Sequence, residues 1–135
     1  MNDSSAQAAT SVYERYIACL NARDWSKLGD FVAADVVHNG RALGLNGYQS
    51  MLEQNYRDIP DLYFNVERVV ANESQVACRL RFDCTPVDRF LGVPVNGRRV
   101  VFHEHAFYTL REAKIAEVFS VIDKAAIEAQ LKCER

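Results

Sequence analysis

A dominant charge, a long apolar run and a secretion signal are all missing from this sequence. Lysine and arginine number 16 against 18 aspartate and glutamate residues, and they are scattered singly. No basic stripe could follow a phosphate backbone, so nucleic acid is not an expected partner. No apolar run approaches the roughly 18 residues that a membrane span needs, and the N-terminus lacks the charged and apolar regions of a signal peptide. We therefore expect a cytoplasmic protein that does not act at a membrane.

The cysteine spacing does not indicate a disulfide framework or a zinc site. Cys19, Cys78, Cys84 and Cys133 stand far apart with no CxxC pair, so we predict reduced thiols. The sequence also has no Walker loop, no dinucleotide-binding glycine pattern and no serine nucleophile elbow. We expect neither a metal nor a cofactor.

Apolar periodicity predicts one α+β domain over residues 1–135. About half of the residues are apolar, which is enough to bury one core. Apolar residues recur at helical spacing in the first part of the chain, then alternate as in strands, and return to helical spacing at the end. The predicted helices cover residues 4–21, 25–32, 46–59 and 124–132, and the extended segments cover 36–40, 62–67, 76–84, 98–110 and 114–122. Helices followed by antiparallel strands are typical of an α+β fold.

Several short motifs resemble one known family in their order and spacing. They are Asp24-Trp25, Val36-Val37-His38-Asn39, Ile59-Pro60-Asp61-Leu62, Phe90-Leu91-Gly92-Val93-Pro94, Asn96-Gly97-Arg98 and Lys114-Ile115-Ala116-Glu117-Val118-Phe119. The chain resembles the SnoaL-like polyketide cyclase family, within the superfamily of ketosteroid isomerase and nuclear transport factor 2. The resemblance implies a cone-shaped, curved antiparallel sheet packed against N-terminal helices (a cystatin-like α+β barrel) around a pocket for a small apolar ligand. It also implies a homodimer.

Two departures from that family pattern stand near the end of the chain. Relatives usually have Asp-Gly in the turn where this chain has Glu112-Ala113. Relatives often carry Trp-Asp in the last strand, where this chain has Phe119-Ser120. If the family's aspartate belongs at Ser120, the cyclase reaction is in question.

The catalytic candidates come from the two last strands. A period of two groups His103 and His105 on one face of the long strand, and Phe119 and Asp123 on one face of the next. The resemblance implies that this second set lines the cavity, with Asp123 as base and His105 as hydrogen-bond donor. A carboxylate desolvated in an apolar cavity can take a proton from a carbon beside a carbonyl, and a donor stabilises the enolate.

Each of these residues also has a structural interpretation. Asp123 precedes a helix and could cap it, and the two histidines could face solvent or a dimer contact. Glu104 points away from His103 and His105 on a strand, so the three do not form a metal triad.

The other predicted substrate contacts are spread over the chain. They are His38, His103, Tyr16, Trp25, Phe119 and Asn39. A turn at Asn39-Gly40 and a core position for Tyr16 are the alternatives.

Three functions follow as hypotheses. The first is a cofactor-free cyclase or isomerase that uses acid–base chemistry on an apolar carbonyl compound. The second is a binding or dimerisation module without catalysis, which Ser120 favours. A hydration enzyme such as an epoxide hydrolase ranks last, because its pocket residues cannot be assembled from this sequence.

Overall fold

The computed structural model describes residues 3–132, and its order of elements is that of an α+β fold. The elements are α1 (Asp3–Ala22), a 3-10 helix (Trp25–Asp30), β1 (Val32–His38), α2 (Gly44–Asp58), β2 (Asn65–Ala71), β3 (Gln75–Cys84), β4 (Arg89–Phe90), β5 (Val93–Pro94), β6 (Val100–Arg111), β7 (Lys114–Ile122) and α3 (Lys124–Lys132). The predicted fold class is confirmed. Cys19, Cys78 and Cys84 are buried free thiols, whereas Cys133 lies outside the described residues.

The main sheet is curved and has five strands in the order β1-β7-β6-β3-β2. Four of these strands, β7, β6, β3 and β2, are antiparallel neighbours. β1 pairs with β7 in parallel, with Val37 opposite Glu117 and His38 opposite Val118. The alternation of apolar residues did not predict this parallel pair, because periodicity carries no information on which strands become neighbours.

Burial distinguishes the two faces of the sheet. The alternating residues Val76, Cys78, Leu80, Phe82 and Cys84 of β3 are all buried, as the sequence pattern predicts. On β6 the buried positions are Val100, Phe102, Ala106 and Tyr108. We call the face that carries these residues the inner face, and the opposite one the outer face. α1 and α2 complete the core with Tyr13, Tyr16, Leu20, Tyr48 and Leu52.

Two segments near the start of the sheet differ from expectation. The predicted second helix is a 3-10 helix that ends at Asp30, and β1 begins at Val32 rather than at Val36. Phe31 joins them, since its amide donates to the Leu28 carbonyl and its carbonyl accepts from Ile115 of β7. Pairing with β7 thus extends the strand into residues that read as helical in isolation.

Four turns have two consecutive residues with positive φ, namely Asn39-Gly40, Leu91-Gly92, Asn96-Gly97 and Glu112-Ala113. Asn39-Gly40 and Asn96-Gly97 use the residue types that tolerate this conformation, and the turns lie where the sequence predicts them. At the β6–β7 turn, Glu112 and Ala113 adopt φ values of 54° and 62° without a glycine. The missing family glycine therefore leaves the turn geometry unchanged at a cost in backbone strain.

Candidate functional site

A cavity of about 490 Å³ lies between the helices and the inner face of the sheet. Its wall includes Tyr16 from α1, Tyr48 from α2, His38 from the end of β1, Glu104 from β6 and Ser120 from β7. A smaller recess of about 40 Å³ adjoins it and is lined by phenylalanines, including Phe64, Phe82 and Phe102. Glu104 lines both spaces. The cavity therefore has a hydroxyl-rich part and an apolar part, with one carboxyl group where they meet.

Glu104 is the carboxylic acid of this cavity. It follows the buried Phe102 by two residues on β6, so it projects from the inner face. Burial raises the pKa of the Glu104 carboxyl to about 7, and the nearby Ser120 hydroxyl opposes part of that rise. At neutral pH, Glu104 therefore exists both as an acid and as a base.

Three tyrosines line the same cavity as the Glu104 carboxyl group. The hydroxyls of Tyr16 and Tyr48 are 2.6 Å apart, and Tyr108 packs against Tyr16 with ring centroids 5.9 Å apart. In the hydroxyl pair one oxygen accepts, and that group keeps its own hydrogen for a third partner. Burial raises the pKa of all three phenols well above the ordinary value, so they remain protonated donors.

The turn after β1 brings His38 and Asn39 against β7. The Asn39 side chain accepts from the Ser120 amide at 2.8 Å and donates to the Ser120 carbonyl at 3.3 Å. These two bonds continue the β1–β7 contact beyond the paired residues, and they hold Ser120 beside His38. The Ser120 Oγ and His38 Nε2 atoms are 3.3 Å apart. Burial lowers the pKa of His38, with a smaller contribution from Arg41, so the imidazole is neutral at pH 7.

The structure brings three of the predicted substrate contacts to the cavity wall, namely Tyr16, His38 and Asn39. The turn at Asn39-Gly40 and the core position of Tyr16 are both present as well. Neither alternative excludes contact with a ligand. That contact stays a prediction.

Asp123, the predicted base, is not among the residues that line the cavity or the adjoining recess. Asp123 is exposed, and its carboxylate accepts from the Ala126 amide at 3.1 Å, which is an N-cap of α3. The cap satisfies a free amide of the first turn, the structural interpretation that the sequence left open.

His103 and His105 also lie on the outer face, away from the cavity. Arg79 connects them to β2, since it contacts the His105 Nε2 atom at 2.7 Å and forms an ion pair with Glu67 at 2.7 Å. His103 Nε2 lies 3.4 Å from the same Glu67 carboxylate. The expected pairing of Asp123 with His105 inside a pocket does not occur.

Trp25 and Phe119 are likewise outside the cavity wall. Trp25 is half-buried and packs edge-on against Tyr56, with ring centroids 5.9 Å apart. Phe119 is 49% exposed and lies opposite Phe107 on the outer face. Both are therefore placed for packing or for contact with another molecule rather than for contact with a ligand inside.

One error in the choice of face explains the differences on β6 and β7. The period of two grouped the residues of β6 and β7 correctly, but the resemblance assigned the wrong group of β7 to the interior. The inner group of β7 includes Val118, Ser120 and Ile122. A signal was present in β6, because Glu104 is the one charged residue in the otherwise apolar set Phe102, Ala106 and Tyr108. A single carboxylate among inward-facing apolar residues is the pattern of a functional acid.

The outer face carries an open groove of about 580 Å³, lined in part by Glu67, Arg68, Arg79, His105 and Phe107. Its walls come from three strands of one sheet, whereas the inner cavity is enclosed by helices as well. Among the described residues, no three His, Cys, Asp or Glu side chains are arranged to hold a metal ion. Over the same range, no helix is both long and apolar enough to cross a membrane.

The sequence and the structure of the chain were compared with those of known proteins. The family model described as SnoaL-like polyketide cyclase matches residues 10–131. A crystal structure of a SnoaL-like polyketide cyclase from Agrobacterium tumefaciens is 50% identical, covers 91% of this chain and 97% of its own, and superposes with a TM-score of 0.90. A search of curated proteins gave no match.

More distant structures share the fold alone. IdmH from Streptomyces antibioticus is 21% identical with a TM-score of 0.79, and covers 92% of this chain and 98% of its own. TsrD from Streptomyces laurentii is 19% identical with a TM-score of 0.80, and covers 99% of both chains. At this level of identity the cavity residues cannot be transferred between proteins.

Proposed function

The chain belongs to the SnoaL-like polyketide cyclase family, and we propose that it is an enzyme that removes a proton from the carbon beside a carbonyl group. The substrate is a small, largely apolar carbonyl compound, and the reaction is an aldol-type ring closure or a double-bond shift. The observation that supports this proposal is Glu104, a carboxyl group with a pKa of about 7 in a cavity of aromatic rings and hydroxyls.

Glu104 acts as the general base. A base is most effective when its pKa lies near the working pH, and the pKa of an ordinary glutamate lies well below neutrality. Burial raises the pKa of Glu104 toward the working pH, as apolar pockets do for other catalytic carboxylic acids. Glu104 thus takes over the role that the sequence resemblance assigned to Asp123.

The Tyr16–Tyr48 pair acts as the donor to the enolate oxygen. When the α C–H bond breaks, the proton goes to Glu104 and the electron pair becomes the enolate, whose charge lies mostly on oxygen. A phenol that already accepts one hydrogen bond donates its own hydrogen more strongly. Such a donor contributes about 3 kcal/mol to transition-state stabilisation in other enzymes.

The enolate then has two productive fates. In ring closure, its carbon attacks a second carbonyl of the same molecule, and the new alkoxide takes a proton. In a double-bond shift, the proton returns from Glu104 to a different carbon. Both sequences balance in atoms and electrons without an oxidant, and the cavity contributes by holding the substrate in a reactive conformation.

The test is solvent exchange at an acidic carbon. 2-Tetralone, an apolar ketone with activated α protons, is incubated with the protein in D₂O, and the loss of its α-proton signal is followed by NMR. We expect exchange well above the buffer rate, and a loss of at least about 100-fold in Glu104→Gln. The control is His105→Gln on the outer face, which should keep the wild-type rate. Equal exchange by wild type and Glu104→Gln would refute the assignment of the base.

A second candidate function is a binding module without catalysis. It is favoured by Ser120, which stands where relatives often have aspartate. For this function, 2-tetralone would bind and shift the resonances of cavity residues, while the exchange rate would stay at that of the buffer. The same samples therefore distinguish the two functions.

A homodimer through the outer face is also part of the proposal. Val70, Ala77, Phe107 and Phe119 lie opposite one another in a row across four strands, and Phe107 is 67% exposed. The neighbouring row contains Arg68, Arg79 and His105, with Glu67 beside it. A face with an apolar row and charges of both signs can meet a second copy of itself around a two-fold axis.

Sedimentation equilibrium tests the dimer. We expect twice the chain mass for wild type and the chain mass for Phe107→Glu, because a buried unpaired charge is costly at an interface. Val87→Glu is the matched control, since Val87 is exposed outside the main sheet. A monomeric wild type, or a dimer that persists in Phe107→Glu, would contradict this interface.

A further inference from the structure

Ser120 has two titratable neighbours in the cavity. Its hydroxyl lies 3.3 Å from His38 Nε2 on one side. On the other side lies Glu104: Ser120 pairs with Ala106 and Ile122 pairs with Glu104, so Ser120 and Glu104 are diagonal neighbours on the inner face. The Ser120 hydroxyl also lowers the pKa of the Glu104 carboxyl. The three side chains come from three strands, β1, β7 and β6, and they meet at the cavity wall.

We propose that Ser120 and His38 form a proton relay that connects Glu104 with the outside of the cavity. This inference rests on the proposed function, because it gives the proton taken up by the base a route out. The hydroxyl gives its hydrogen to the carboxylate and takes one from His38 Nε2, while His38 Nδ1 takes a proton from water. One proton enters, one is delivered, and the imidazole changes tautomer. The reverse sequence removes the proton that Glu104 has taken from the substrate.

Geometry supports a relay that switches rather than one that is permanently connected. The contact of defined geometry joins Ser120 Oγ and His38 Nε2. With the hydrogen on Nε2, His38 donates to the hydroxyl oxygen and the hydroxyl hydrogen is available to Glu104; with the hydrogen on Nδ1, the hydroxyl turns and donates to Nε2. Serine suits this task, because its hydroxyl is both donor and acceptor and turns freely about one bond. Alanine or valine in this position would have no proton to pass on.

The backbone around Ser120 is fixed on both sides. Asn39 holds its amide and its carbonyl, and Ala106 of β6 lies opposite it. His38 is fixed by backbone bonds with Arg41 in both directions across the turn. Only the side chains have to move, so proton transfer does not require the cavity to open.

The other charged and titratable groups at this wall do not replace the relay. They are Arg41 on the turn, Tyr16 on α1, Tyr48 on α2, Tyr108 on β6 and Lys124 on α3. The three phenols keep their protons because burial raises each pKa. Arg41 carries a permanent charge that contributes to the lowered pKa of His38. The neutral imidazole that results can accept a proton at Nδ1.

The test reads proton positions by NMR and needs no substrate. With ¹⁵N-labelled histidine and ¹³C-labelled glutamate, we expect His38 to carry its hydrogen on Nε2 above pH 8 and to show a second inflection at the pH where Glu104 titrates. In Ser120→Ala we expect that inflection to shrink at least twofold and the tautomer preference to weaken. Ser120→Thr retains a hydroxyl and should restore both.

The outcomes separate the relay from the proposed function. An inflection of His38 that is absent in wild type, or is equally large in Ser120→Ala, overturns the relay whatever the exchange assay shows. Failure of 2-tetralone exchange would overturn the proposed function while this coupling could still be present. If Ser120→Ala does not fold, His38→Gln serves instead, and the relay then predicts that the Glu104 titration loses its coupling to this site. An unchanged Glu104 titration curve would overturn it.

Discussion

Two glutamates that lie against opposite faces of β6 have pKa values shifted in opposite directions. Glu104 on the inner face sits among aromatic rings, and the pKa of its carboxyl rises to about 7. Glu67, which contacts β6 from the outer face, lies beside Arg79, and that guanidinium holds the pKa of its carboxyl below the ordinary value. The same functional group is thus a base near neutrality on one side and a permanent anion on the other. The two pKa values differ because Glu104 is desolvated whereas Glu67 is paired with a cation, since the residue type is the same.

The largest contrast should appear in packing. Phe102 is 2% exposed and stacks on Phe82 with ring centroids 5.3 Å apart, whereas Phe107 on the opposite face is 67% exposed. We expect Phe102→Ala to lower the free energy of unfolding by about 3–5 kcal/mol, and Phe107→Ala by less than about 0.5 kcal/mol in the monomer. Urea denaturation at low protein concentration measures both. Equal losses of unfolding free energy at the two positions would contradict the burial of Phe102 and the exposure of Phe107.

The next contrast is the pH dependence of stability. The pKa of Glu104 rises from 4.5 to about 7 on folding, so the folded state binds more protons than the unfolded state between these values. Stability should therefore be greatest below about pH 4.5 for this group and fall as pH rises through 7, by up to about 3 kcal/mol at roughly 1.4 kcal/mol per pH unit.

Denaturation from pH 5 to pH 8 measures this loss. Glu104→Gln should remove the pH-dependent loss, because the amide cannot ionise. His105→Gln should keep the wild-type profile. A profile that is the same in wild type and Glu104→Gln would show that Glu104 is not desolvated.

A smaller effect is expected at the end of the outer face, where Asp123 caps α3. Asp123→Ala should cost about 1 kcal/mol of stability, and Asp123→Asn much less, since asparagine is also a good N-cap. Both variants should exchange 2-tetralone at the wild-type rate. A large loss of exchange in Asp123→Asn with unchanged stability would instead return Asp123 to the active site.

The smallest effect is expected for the exposed ion pair of Arg79 with Glu67. At a protein concentration low enough for the monomer, Glu67→Gln should change Tm by less than about 2 °C, and the difference should disappear in high salt, because exposed pairs are screened by solvent and ions. Thermal unfolding at two salt concentrations measures it. A large, salt-independent loss in the monomer would contradict the assignment of this pair as exposed and screened.

The fold could be predicted from the sequence because the apolar periodicity and the turn residues indicate the same elements. Alternation in β3, the Asn96-Gly97 turn and the helical spacing of α1 all indicate the observed elements. The parallel pairing of β1 with β7 could not be predicted, since strand neighbours depend on long-range contacts. Phe31 shows the same limit, because its backbone bond to Ile115 decides where β1 begins.

Only part of the cavity lining could be predicted from the sequence. His38, Asn39 and Tyr16 are named by the sequence and line the cavity. Glu104 was missed because a strand pattern defines two faces without saying which of them is covered. The pKa of Glu104 is a property of the enclosed space around it, and no spacing rule describes such a space.

The parallel pairing of β1 with β7 affects how the protein acquires its site. His38 and Ser120 are 82 positions apart in the chain, so the cavity wall closes only after the penultimate element has been synthesised and has reached β1. Loop closure over such a separation is slow compared with the formation of local hairpins such as β6–β7. A nascent chain on the ribosome would have most of its sheet before it could bind a ligand. Ligand binding would therefore report on completion of the fold.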